Sequence, residues 1–461
     1  MDKLKEECGI FGVFDPQGDV ARAAFHALVT LQHRGQESCG IAVNRERDIH
    51  CHKGMGLVTD VFNNKKILDD LAGNMAIGHV RYGSSKSSSP ENAQPLVVRR
   101  YIKGNLAIAY NGSLTNTEEL EERYESEGAI YQTTSDTEII AYTIARERAK
   151  SKSIQEALSR SMDILKGAYS LVIMSPQKLI AARDMWGFRP LCLGKKGNAY
   201  MFASESCAFD SIGAEYIREL LPGEIVVVEN GELTSITDHV GKVPTSLCIF
   251  EHIYFARPDS TLNGAMVYES RRRAGQFLAQ DDPVDADVVI GVPDSGMPAA
   301  MGFAEKSGIP YAEGFIKNRY IGRTFIQPGQ ADRALAVSMK LNPLRSNVEG
   351  KRVVMVDDSV VRGTTFDCIV NLLKKAGATE IHVRVASPAF LWPCYYGTNI
   401  PSRESLLAYT HTIEETRKLF GADSWSYLRL ERLKDLVPGC KYEFCDACFS
   451  GNYPVIKSGI K

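Results

Sequence analysis

Along the first half of the chain, apolar and polar residues alternate in short runs. The runs MAIGHVRYG, LAIAYNGSL and GAYSLVIMS have the period of two that predicts strands with one buried face. The stretch GEIVVVENGELTSI predicts a hairpin with an Asn-Gly turn at 230–231. A few helices interrupt this pattern, such as DVARAAFHALVTLQHRG, for which we predict an N-cap at Asp19 and an end just before Gly35. This half is therefore expected to be an α+β domain of antiparallel sheets flanked by helices.

From about residue 285 the pattern changes to continuous apolar strands that alternate with helices. ADVVIGVPDSG leads into the helical run MPAAMGFAEKSG, and KRVVMVDDSVVRGTTFDCIVNLLKKAGATEIHVRVAS predicts strand, loop, helix and strand. The apolar positions of that helix follow the i, i+3, i+4, i+7 spacing: Phe366, Ile369, Val370 and Leu373. Such a chain predicts a parallel, doubly wound α/β sheet. The boundary between the halves is expected near 240–265, and we place it between residues 245 and 246.

The bulk composition is that of an ordinary globular protein. The chain has 461 residues, 44% of them apolar and 24% charged, which is enough for two or three domains. Its formal net charge of −2 gives no reason to expect nucleic acid or an anionic membrane as the main partner. No window approaches the roughly 18 apolar residues of a membrane span, and no signal-peptide h-region is visible. We therefore expect a cytoplasmic protein.

The stretch RVVMVDDSVVRGTT is the most specific chemical signal in the chain. A buried strand delivers Asp357 and Asp358 to the carboxyl edge of the predicted parallel sheet, where open α/β sheets bind ligands. Gly363, Thr364 and Thr365 then open a helix whose free N–H groups favour a phosphate. The two carboxylates suit ribose hydroxyls instead, or a Mg²⁺ ion that bridges to a pyrophosphate. The alternative is an ordinary strand–loop–helix corner with acidic caps.

This stretch resembles the loop with which type I phosphoribosyltransferases bind phosphoribosyl pyrophosphate (PRPP). The resemblance implies that Asp357 and Asp358 bind the ribose diol. It also implies a 5′-phosphate surrounded by Ser359, Val360, Arg362, Gly363, Thr364 and Thr365. By the same resemblance, GVPDSG places Asp294 and Ser295 near the metal and the pyrophosphate. The Mg²⁺ ligands implied in this way are Ser295, Asp357 and Asp358, and residues 246–461 are expected to form an α/β type I phosphoribosyltransferase domain with a C-terminal helical tail.

Two other segments of this half leave alternatives open. The segment 317–350 holds six basic and two acidic residues among glycines and prolines. A loop of this length is either a phosphate-seeking lid or a solvated surface loop. The run ESRRRAGQ (269–276) either contacts an anionic partner or forms the exposed face of a helix, and we favour the exposed face.

Four polar motifs of the first half lie at predicted strand ends or turns: QHRGQES (32–38), GHVRYG (78–83), AYNGSL (109–114) and TTSDTE (133–138). Each could be a satisfied turn, but together they resemble the glutaminase domain of the N-terminal-nucleophile amidotransferases. That family begins its mature chain with the catalytic cysteine of a CGIxG sequence, as in CGIFG here. Residues 8–245 are therefore expected to form this domain. One departure is SSKSSSPENAQP (84–95), where the family more often has a Thr-Ala-Gly-type run.

The resemblance implies a role for each matching residue of the first half. Cys8 is the expected nucleophile, and its own α-amino group, with a pKa near ~8, can take the thiol proton. The Asn111 side-chain amide and the Gly112 backbone N–H are the expected donors to the oxyanion. The expected glutamine-binding residues are Arg81 for the α-carboxylate, Asp136 for the α-ammonium, and Arg34, which shapes the pocket.

The order of the two halves resembles the glutamine phosphoribosylpyrophosphate amidotransferases. That family makes ammonia from glutamine, transfers it internally to Mg-PRPP, and so forms phosphoribosylamine in the first committed step of purine synthesis. The resemblance further implies a homotetramer with purine nucleotides of the AMP and GMP class as feedback inhibitors. A PRPP-sensing regulator without catalysis is the alternative from another class, and Cys8 argues against it. An amidotransferase acting on a sugar phosphate or an aspartyl adenylate would lack the PRPP loop.

Eleven cysteines in a reduced compartment must be core residues, metal or cluster ligands, or nucleophiles. Six of them give no reason to leave the core interpretation: Cys39, Cys51, Cys192, Cys207, Cys368 and Cys440. The remaining late cysteines are Cys248, Cys394 and the CxxC pair Cys445 and Cys448, whose spacing is equally compatible with zinc. These four resemble the branch of the family that holds a 4Fe–4S cluster. That branch also has a short acidic propeptide, which here would be residues 1–7.

Overall fold

The structure is a computed structural model that describes residues 8–83, 88–101, 104–318, 320, 339–364, 366–398, 400 and 402–456. Several predictions made above fall outside these residues: the propeptide 1–7, Ser84 to Lys86 in the departing loop, most of the segment 317–350, and Thr365. No described helix is both long and apolar enough to cross a membrane.

Two stacked antiparallel sheets form the first half, as the alternating pattern predicts. One sheet has the strand order β11-β9-β10-β1-β4-β2-β3 and the other β13-β12-β8-β7-β6-β5. The strands are β1 Gly9–Phe14, β2 Ser38–Arg45, β3 Asp48–Met55, β4 Met75–Arg81, β5 Leu96–Tyr101, β6 Gly104–Leu114, β7 Gly167–Met174, β8 Lys178–Arg183, β9 Cys192–Lys196, β10 Ala199–Ala203, β11 Glu215–Glu219, β12 Ile225–Glu229 and β13 Glu232–Ile236. The predicted hairpin is β12–β13, with Asn230 and Gly231 in its turn at φ 53° and 84°.

Helices cover the outer faces of both sheets, and apolar side chains fill the space between the sheets. The α-helices of this half are Val20–Thr30, Val58–Val61, Lys65–Asp70, Thr117–Ser126, Asp136–Ala149, Ile154–Met162 and Cys207–Asp210, with 3₁₀ turns at Leu31–His33 and Pro90–Asn92. The Asp19 side chain accepts a 3.0 Å hydrogen bond from the Arg22 amide, so the predicted N-cap is confirmed. The predicted end just before Gly35 is too late for the α-helix, which stops at Thr30 and continues as the 3₁₀ turn Leu31–His33.

A four-stranded parallel sheet forms the centre of the second half, in the order β17-β20-β21-β22. The strands of this half are β14 Leu247–Cys248, β15 Thr261–Leu262, β16 Ala265–Met266, β17 Val288–Gly291, β18 Phe315–Lys317, β19 Leu341–Pro343, β20 Arg352–Asp357, β21 Glu380–Val385, β22 Ser424–Tyr427 and β23 Phe444–Cys445. Its α-helices are Val267–Asp281, Met297–Ser307, Arg345–Val348, Phe366–Lys375, Leu407–Thr410, Ile413–Phe420 and Ala447–Ser450. One π-helical turn lies at Glu251–Phe255, and 3₁₀ turns lie at Arg403–Ser405 and Leu430–Leu436.

The predicted amphipathic helix after the DDS loop is present as Phe366–Lys375. All four of its predicted apolar positions are buried in the core beside the parallel sheet. Strand β13 ends at Ile236 and β14 begins at Leu247, so the predicted boundary at 245/246 falls in the connection between them. Near the C-terminus, β23 pairs in parallel with β14, the first strand of the second half.

Candidate functional site

Cys8 lies at the open end of β1. Its side chain is partly exposed, whereas all six residues of β1 after it are buried. Strand β1 pairs with β4 so that Gly9 is opposite Val80, and one further step in this register brings Cys8 opposite Arg81. The fold therefore places the predicted nucleophile beside a predicted glutamine-binding residue, at the N-terminal end of β1.

The predicted oxyanion donors lie on the neighbouring sheet in β6. Asn111 is 1% exposed, and its Nδ2 has no hydrogen-bond partner among the described residues. Gly112 approaches β7 so closely that a Cβ on it would lie 2.1 Å from the Ala168 carbonyl oxygen, which excludes a side chain there. A buried amide donor without a partner is costly, about 1–3 kcal/mol, unless a ligand accepts its hydrogen bond. This pair is therefore suited to hold a developing oxyanion.

His79 and Tyr110, which we did not single out from the sequence, connect β4 to β6. His79 on β4 bonds through Nε2 to the Tyr110 carbonyl oxygen at 2.9 Å, and burial lowers the pKa of His79 to about 3, so the ring stays neutral. The Tyr110 pKa is raised well above its usual value, first by burial and then by the charges of Asp136 and Cys8. Tyr110 therefore lies within electrostatic reach of both Cys8 and Asp136. His79 is part of the GHVRYG motif, which was the available signal.

Asp136 and Arg81 bring opposite charges to this site. Asp136 begins the helix Asp136–Ala149 and accepts hydrogen bonds from the Leu114 amide and the Thr117 hydroxyl, both at 2.9 Å. Arg81 is 7% exposed and donates through Nη1 to Glu37 at 2.6 Å. Burial raises the pKa of Glu37, and Arg81 opposes that shift. The Arg81 guanidinium is thus paired with the Glu37 carboxylate in this structure.

Arg34 is buried against the backbone of Cys8. Its side chain is 1% exposed, and its Nε donates to the Cys8 carbonyl oxygen at 3.0 Å. Its other nitrogens bind the carboxylates of Glu205 and Glu251. The predicted role of Arg34 in shaping the glutamine pocket would therefore act through the backbone of Cys8.

We expect Asn111→Ala to lower kcat for glutamine hydrolysis by about 10²- to 10³-fold, the usual loss when an oxyanion donor is removed. The KM for glutamine should change far less, because this donor acts on charge that develops in the transition state. Steady-state glutamate release measures both constants. Asn116→Ala is a matched control, since Asn116 is an equally buried amide whose bonds to Ile164 and Lys166 are internal to the fold. An unchanged kcat in Asn111→Ala would contradict this role.

The second predicted site lies at the carboxyl end of β20. Asp357 and Asp358 are 3% and 2% exposed, and the Asp358 amide donates to Asp357 Oδ1 at 2.9 Å. The hydroxyls of Ser295 and Ser359 both donate to the Asp358 carboxylate. The structure thus brings Ser295, 63 residues away along the chain, to the predicted acidic pair. Carboxylate and hydroxyl oxygens are the hard ligands that Mg²⁺ prefers. Asp294, the other residue expected here, forms an ion pair with Lys317.

The loop after this pair approaches the start of the helix Phe366–Lys375, as a phosphate loop requires. Val360 is 3% exposed and packs in the core, so only its backbone can reach a ligand. Arg362 and Thr364 are exposed. Gly363 has φ +70°, and a Cβ there would lie 2.7 Å from the Phe420 ring, so glycine is required. Exposed donors and a compact backbone are the features that accommodate a phosphate.

The ESRRRAGQ segment was predicted to form an exposed helix face, but part of it is buried. Arg272 fits the prediction, since it pairs with Glu269 and Glu305 at the surface. Arg271 does not fit, because it is 4% exposed and donates to backbone carbonyls of the π-helical turn and its end: His252, Tyr254 and Ala256. Burial lowers the pKa of Arg271 to about 10, and the charge of Asp358 opposes that shift. A cavity of about 230 Å³ lies between Arg271, Ser295 and Asp358.

The four late cysteines line one cavity. Strands β14 and β23 pair in parallel with Cys248 opposite Cys445, and Cys394 and Cys448 complete the cysteine lining of the same pocket. Burial raises the pKa of Cys445 to about 12, and burial with the three neighbouring thiols raises that of Cys448. Within the described ranges, however, no three or more His, Cys, Asp or Glu side chains are arranged so that they could hold one metal ion.

Of the six cysteines assigned to the core, Cys39, Cys192 and Cys207 are buried, and Cys51, Cys368 and Cys440 are partly buried. The core interpretation is thus confirmed in full for three of them.

Comparisons with known proteins match both halves and the whole chain. A family model described as a glutamine amidotransferase domain matches residues 79–211, and one described as a phosphoribosyl transferase domain matches residues 262–387. The amidophosphoribosyltransferases of Methanocaldococcus jannaschii and Bacillus subtilis are each 46% identical to this chain, over 97% and 98% of it and over 97% and 94% of their own lengths. The solved B. subtilis amidotransferase in complex with ADP and GMP superposes with a TM-score of 0.91 at 46% identity, covering 98% of this chain and 99% of that one.

A second solved structure, described as the allosteric regulatory enzyme of purine biosynthesis, has a TM-score of 0.92 at 45% identity and covers 98% of this chain and 97% of that chain. The predicted fold and reaction are thereby confirmed, and a PRPP-sensing regulator without catalysis is excluded. This chain belongs to the amidophosphoribosyltransferase family, whose reaction it catalyses as the first step of purine biosynthesis: glutamine, PRPP and water give 5-phosphoribosylamine, glutamate and pyrophosphate.

Proposed function

We propose that Cys8 carries out the glutamine half of this reaction. Its Sγ attacks the side-chain amide carbon of glutamine, and its α-amino group takes the thiol proton and passes it to the leaving ammonia. Asn111 Nδ2 and the Gly112 N–H hold the oxyanion of each tetrahedral intermediate, and water then hydrolyses the glutamyl thioester. Arg81 binds the α-carboxylate and Asp136 the α-ammonium. The observation that carries this proposal is the buried Asn111 amide on β6 of the neighbouring sheet, which has no hydrogen-bond partner among the described residues.

The mechanism requires the Glu7–Cys8 bond to be cut. A peptide bond at Cys8 would leave its nitrogen without a basic lone pair, so the thiol would have no internal base. Removal of residues 1–7 as a propeptide is therefore part of the proposal. Intact mass of the purified protein tests it, because the expected active species begins at Cys8. A fully active enzyme that retains residues 1–7 would overturn the role of the α-amino group.

For the second half we propose that Asp357 and Asp358 bind the ribose diol of PRPP and that the loop from Ser359 to Thr365 binds its 5′-phosphate. Ser295 with the two aspartates would hold one Mg²⁺ ion, which supplies positive charge to the departing pyrophosphate. The hydroxyl contact from Ser295 to Asp358 supports this set of oxygen ligands. At C1′ the bond to pyrophosphate breaks as the bond to nitrogen forms.

Ammonia is proposed to pass from one site to the other inside the protein. In water near neutral pH it is mostly ammonium, which has no lone pair with which to attack C1′. The matching experiment compares phosphoribosylamine synthesis from glutamine and from ammonium chloride in the same enzyme. We expect the enzyme to use glutamine efficiently at a pH where added ammonia is a poor substrate. Equal pH profiles of the two synthesis rates would contradict internal transfer.

We also propose that Cys248, Cys394, Cys445 and Cys448 hold a 4Fe–4S cluster that ties the C-terminal tail to the linker between the halves. Four thiolates on one Zn²⁺ ion would lie within about 4 Å of one another, given Zn–S bonds of about 2.3 Å. The four thiols instead line one pocket with Phe188, Phe250 and Phe390, and among the described residues no three such side chains are arranged to hold a single ion. That arrangement fits a larger group better than a single ion, and the chemistry such a cluster supplies here is structural cross-linking.

Anaerobically purified protein should contain close to four iron and four sulfide per chain, with broad absorption in the visible range. Cys445→Ser should lose most of the iron and lower the thermal midpoint, because the tail loses its anchor. Cys440→Ser is the matched control, since Cys440 lies close in sequence but does not line the cavity. Metal analysis and thermal unfolding measure both effects. Stoichiometric zinc without sulfide would contradict the cluster assignment.

The same resemblance supports a homotetramer that purine nucleotides of the AMP and GMP class inhibit. The B. subtilis enzyme, solved with ADP and GMP, shows that a close relative binds such nucleotides. Sedimentation and inhibition assays with AMP and GMP test both points. A cytoplasmic location, where thiols stay reduced, is part of the proposal.

A further inference from the structure

Four charged side chains are buried together where the two halves of the chain meet. Arg34, Glu205 and Arg189 are each at most 1% exposed, and the Glu251 side chain is 4% exposed. Arg34 Nη1 donates to Glu205 at 2.6 Å and to Glu251 at 3.0 Å, and Nη2 donates to Glu251 at 2.7 Å. Arg189 Nη1 lies 3.6 Å from the same Glu251 carboxylate. Two positive and two negative groups therefore balance one another away from water.

This network contacts the residue that we propose as nucleophile. The Arg34 Nε donates to the Cys8 carbonyl oxygen at 3.0 Å, so all three guanidinium nitrogens have described partners. The Glu251 carboxylate takes two of these hydrogen bonds and thereby fixes the plane of the guanidinium. If that plane turned, the hydrogen bond to Cys8 would be lost.

Glu251 does not belong to the glutaminase sheets. It begins the π-helical turn Glu251–Phe255 in the connection to the second half, 217 residues after Arg34. Arg271, on the helix Val267–Asp281 of the second half, donates to three carbonyls of this turn and its end. The clamp on Arg34 is therefore held from outside the glutaminase half.

Glu205 cannot replace Glu251 in this clamp. Its carboxylate already accepts hydrogen bonds from His33 at 2.7 Å, Ser260 at 2.6 Å and the Arg257 amide at 2.9 Å. It contacts only one of the two terminal nitrogens of Arg34. Although burial opposes ionisation, Arg34 and Arg189 hold the pKa of Glu251 below its usual value. The clamp therefore stays charged throughout the neutral range.

We propose that Glu251 is a positioning residue for glutamine hydrolysis, acting through Arg34 to fix the backbone of Cys8. The inference rests on the proposed function, in which Cys8 supplies both the thiol and the α-amino base. Fixing the carbonyl of that residue limits rotation at its Cα, and so aligns both groups on the substrate amide. Displacement by about 1 Å at this point is enough to cost on the order of 10²-fold in rate.

The test variant is Glu251→Gln, which keeps the shape and removes the charge. We expect its kcat with glutamine to fall by about 10- to 100-fold, its KM for glutamine to change little, and its ammonia-dependent synthesis to stay within about twofold of the parent. The rate at which 6-diazo-5-oxonorleucine, an electrophilic glutamine analogue, alkylates Cys8 should fall with kcat. Glu251→Asp, which retains the charge, should recover part of both rates.

Glu224→Gln is the matched control. Glu224 is 1% exposed and accepts two hydrogen bonds from Arg218 at 2.7 Å, but it does not contact Arg34 or Cys8. Both activities and the alkylation rate should remain within about twofold of the parent in this variant.

Two outcomes would overturn the inference. One is an unchanged alkylation rate and glutamine kcat in Glu251→Gln. The other is an equal loss of both activities with a lowered thermal midpoint and no recovery in Glu251→Asp, which would show a purely structural role. If Cys8→Ala itself kept glutamine-dependent activity, the proposed function would fail. Loss of activity in Cys8→Ala with full activity in Glu251→Gln would overturn only this inference.

Discussion

Cys8→Ala should abolish glutamine-dependent synthesis of phosphoribosylamine, with a loss of about 10⁴-fold or more, as is usual when a covalent nucleophile is removed. Ammonia-dependent synthesis at high ammonium concentration should remain, because the proposed PRPP site is at the parallel sheet of the other half. The measurement is pyrophosphate release with each nitrogen source at saturating PRPP. Binding of glutamine should also survive, since Arg81 and Asp136 are untouched.

Cys51→Ala is the matched control for this variant. Cys51 is partly buried on β3 of the same half, and burial raises its pKa to about 11, so its thiol is not ionised near neutral pH. Both activities should stay at the parental level in this control. If Cys8→Ala kept its glutamine-dependent rate, the nucleophile assignment would be wrong. If it lost both activities in a folded protein, the two-site scheme would fail.

Asp358→Asn should suppress synthesis from both nitrogen sources, by about 10²- to 10⁴-fold, because each lost charge-assisted hydrogen bond is worth about 1.5–3 kcal/mol. The substitution keeps the size of the side chain but removes the charge that faces Ser295 and Ser359. A neutral amide is a poorer ligand for Mg²⁺, so the Mg²⁺ concentration for half-maximal rate should rise as well. Glutamate release should fall at most to a basal level, since Cys8 and its partners are intact.

The matched control variant, Asp285→Asn, changes a residue at the other end of the parallel strands. Asp285→Asn removes a carboxylate that is 88% exposed and pairs with Arg352 at the start of β20. Such surface pairs contribute little, and both activities should be unchanged. A selective loss of the glutamine-dependent rate in Asp358→Asn, with normal use of ammonia, would contradict the placement of PRPP at this edge.

Structural features that depend on residues close together in the sequence could be predicted from it. The Asn-Gly turn at 230–231 and the buried face of the helix Phe366–Lys375 follow from backbone preferences and from a 3.6-residue period, and both are present. The DDS stretch predicts a carboxylate pair at a strand end, and Asp357 and Asp358 stand there. The end of the first helix was placed too late, because tightening into a 3₁₀ turn leaves no mark in the apolar pattern.

Burial of individual charges could not be predicted in this way. In ESRRRAGQ, three adjacent arginines have the same intrinsic character, yet of the three only Arg271 is fully buried, with its guanidinium on carbonyls of the turn Glu251–Phe255. Arg34 belongs to a predicted glutamine-binding motif, but its side chain is buried against Cys8 and hydrogen-bonded to Glu251. Neither glutamate of that network carried a local signal, since a single carboxylate in a mixed segment is normally solvated.

The two fold classes, the chemical groups available at each site and the resemblance to a known reaction all follow from the amino-acid sequence. Three features appear only in the folded chain: the Asn111 amide without a partner among the described residues, the pairing of Cys248 with Cys445, and the contact of Glu251 with Arg34 across 217 residues. The physical reason is that periodicity and turn chemistry act within a few residues along the chain. Pairing of buried polar groups depends instead on how separate elements pack, and there each group must find its partner from another part of the molecule.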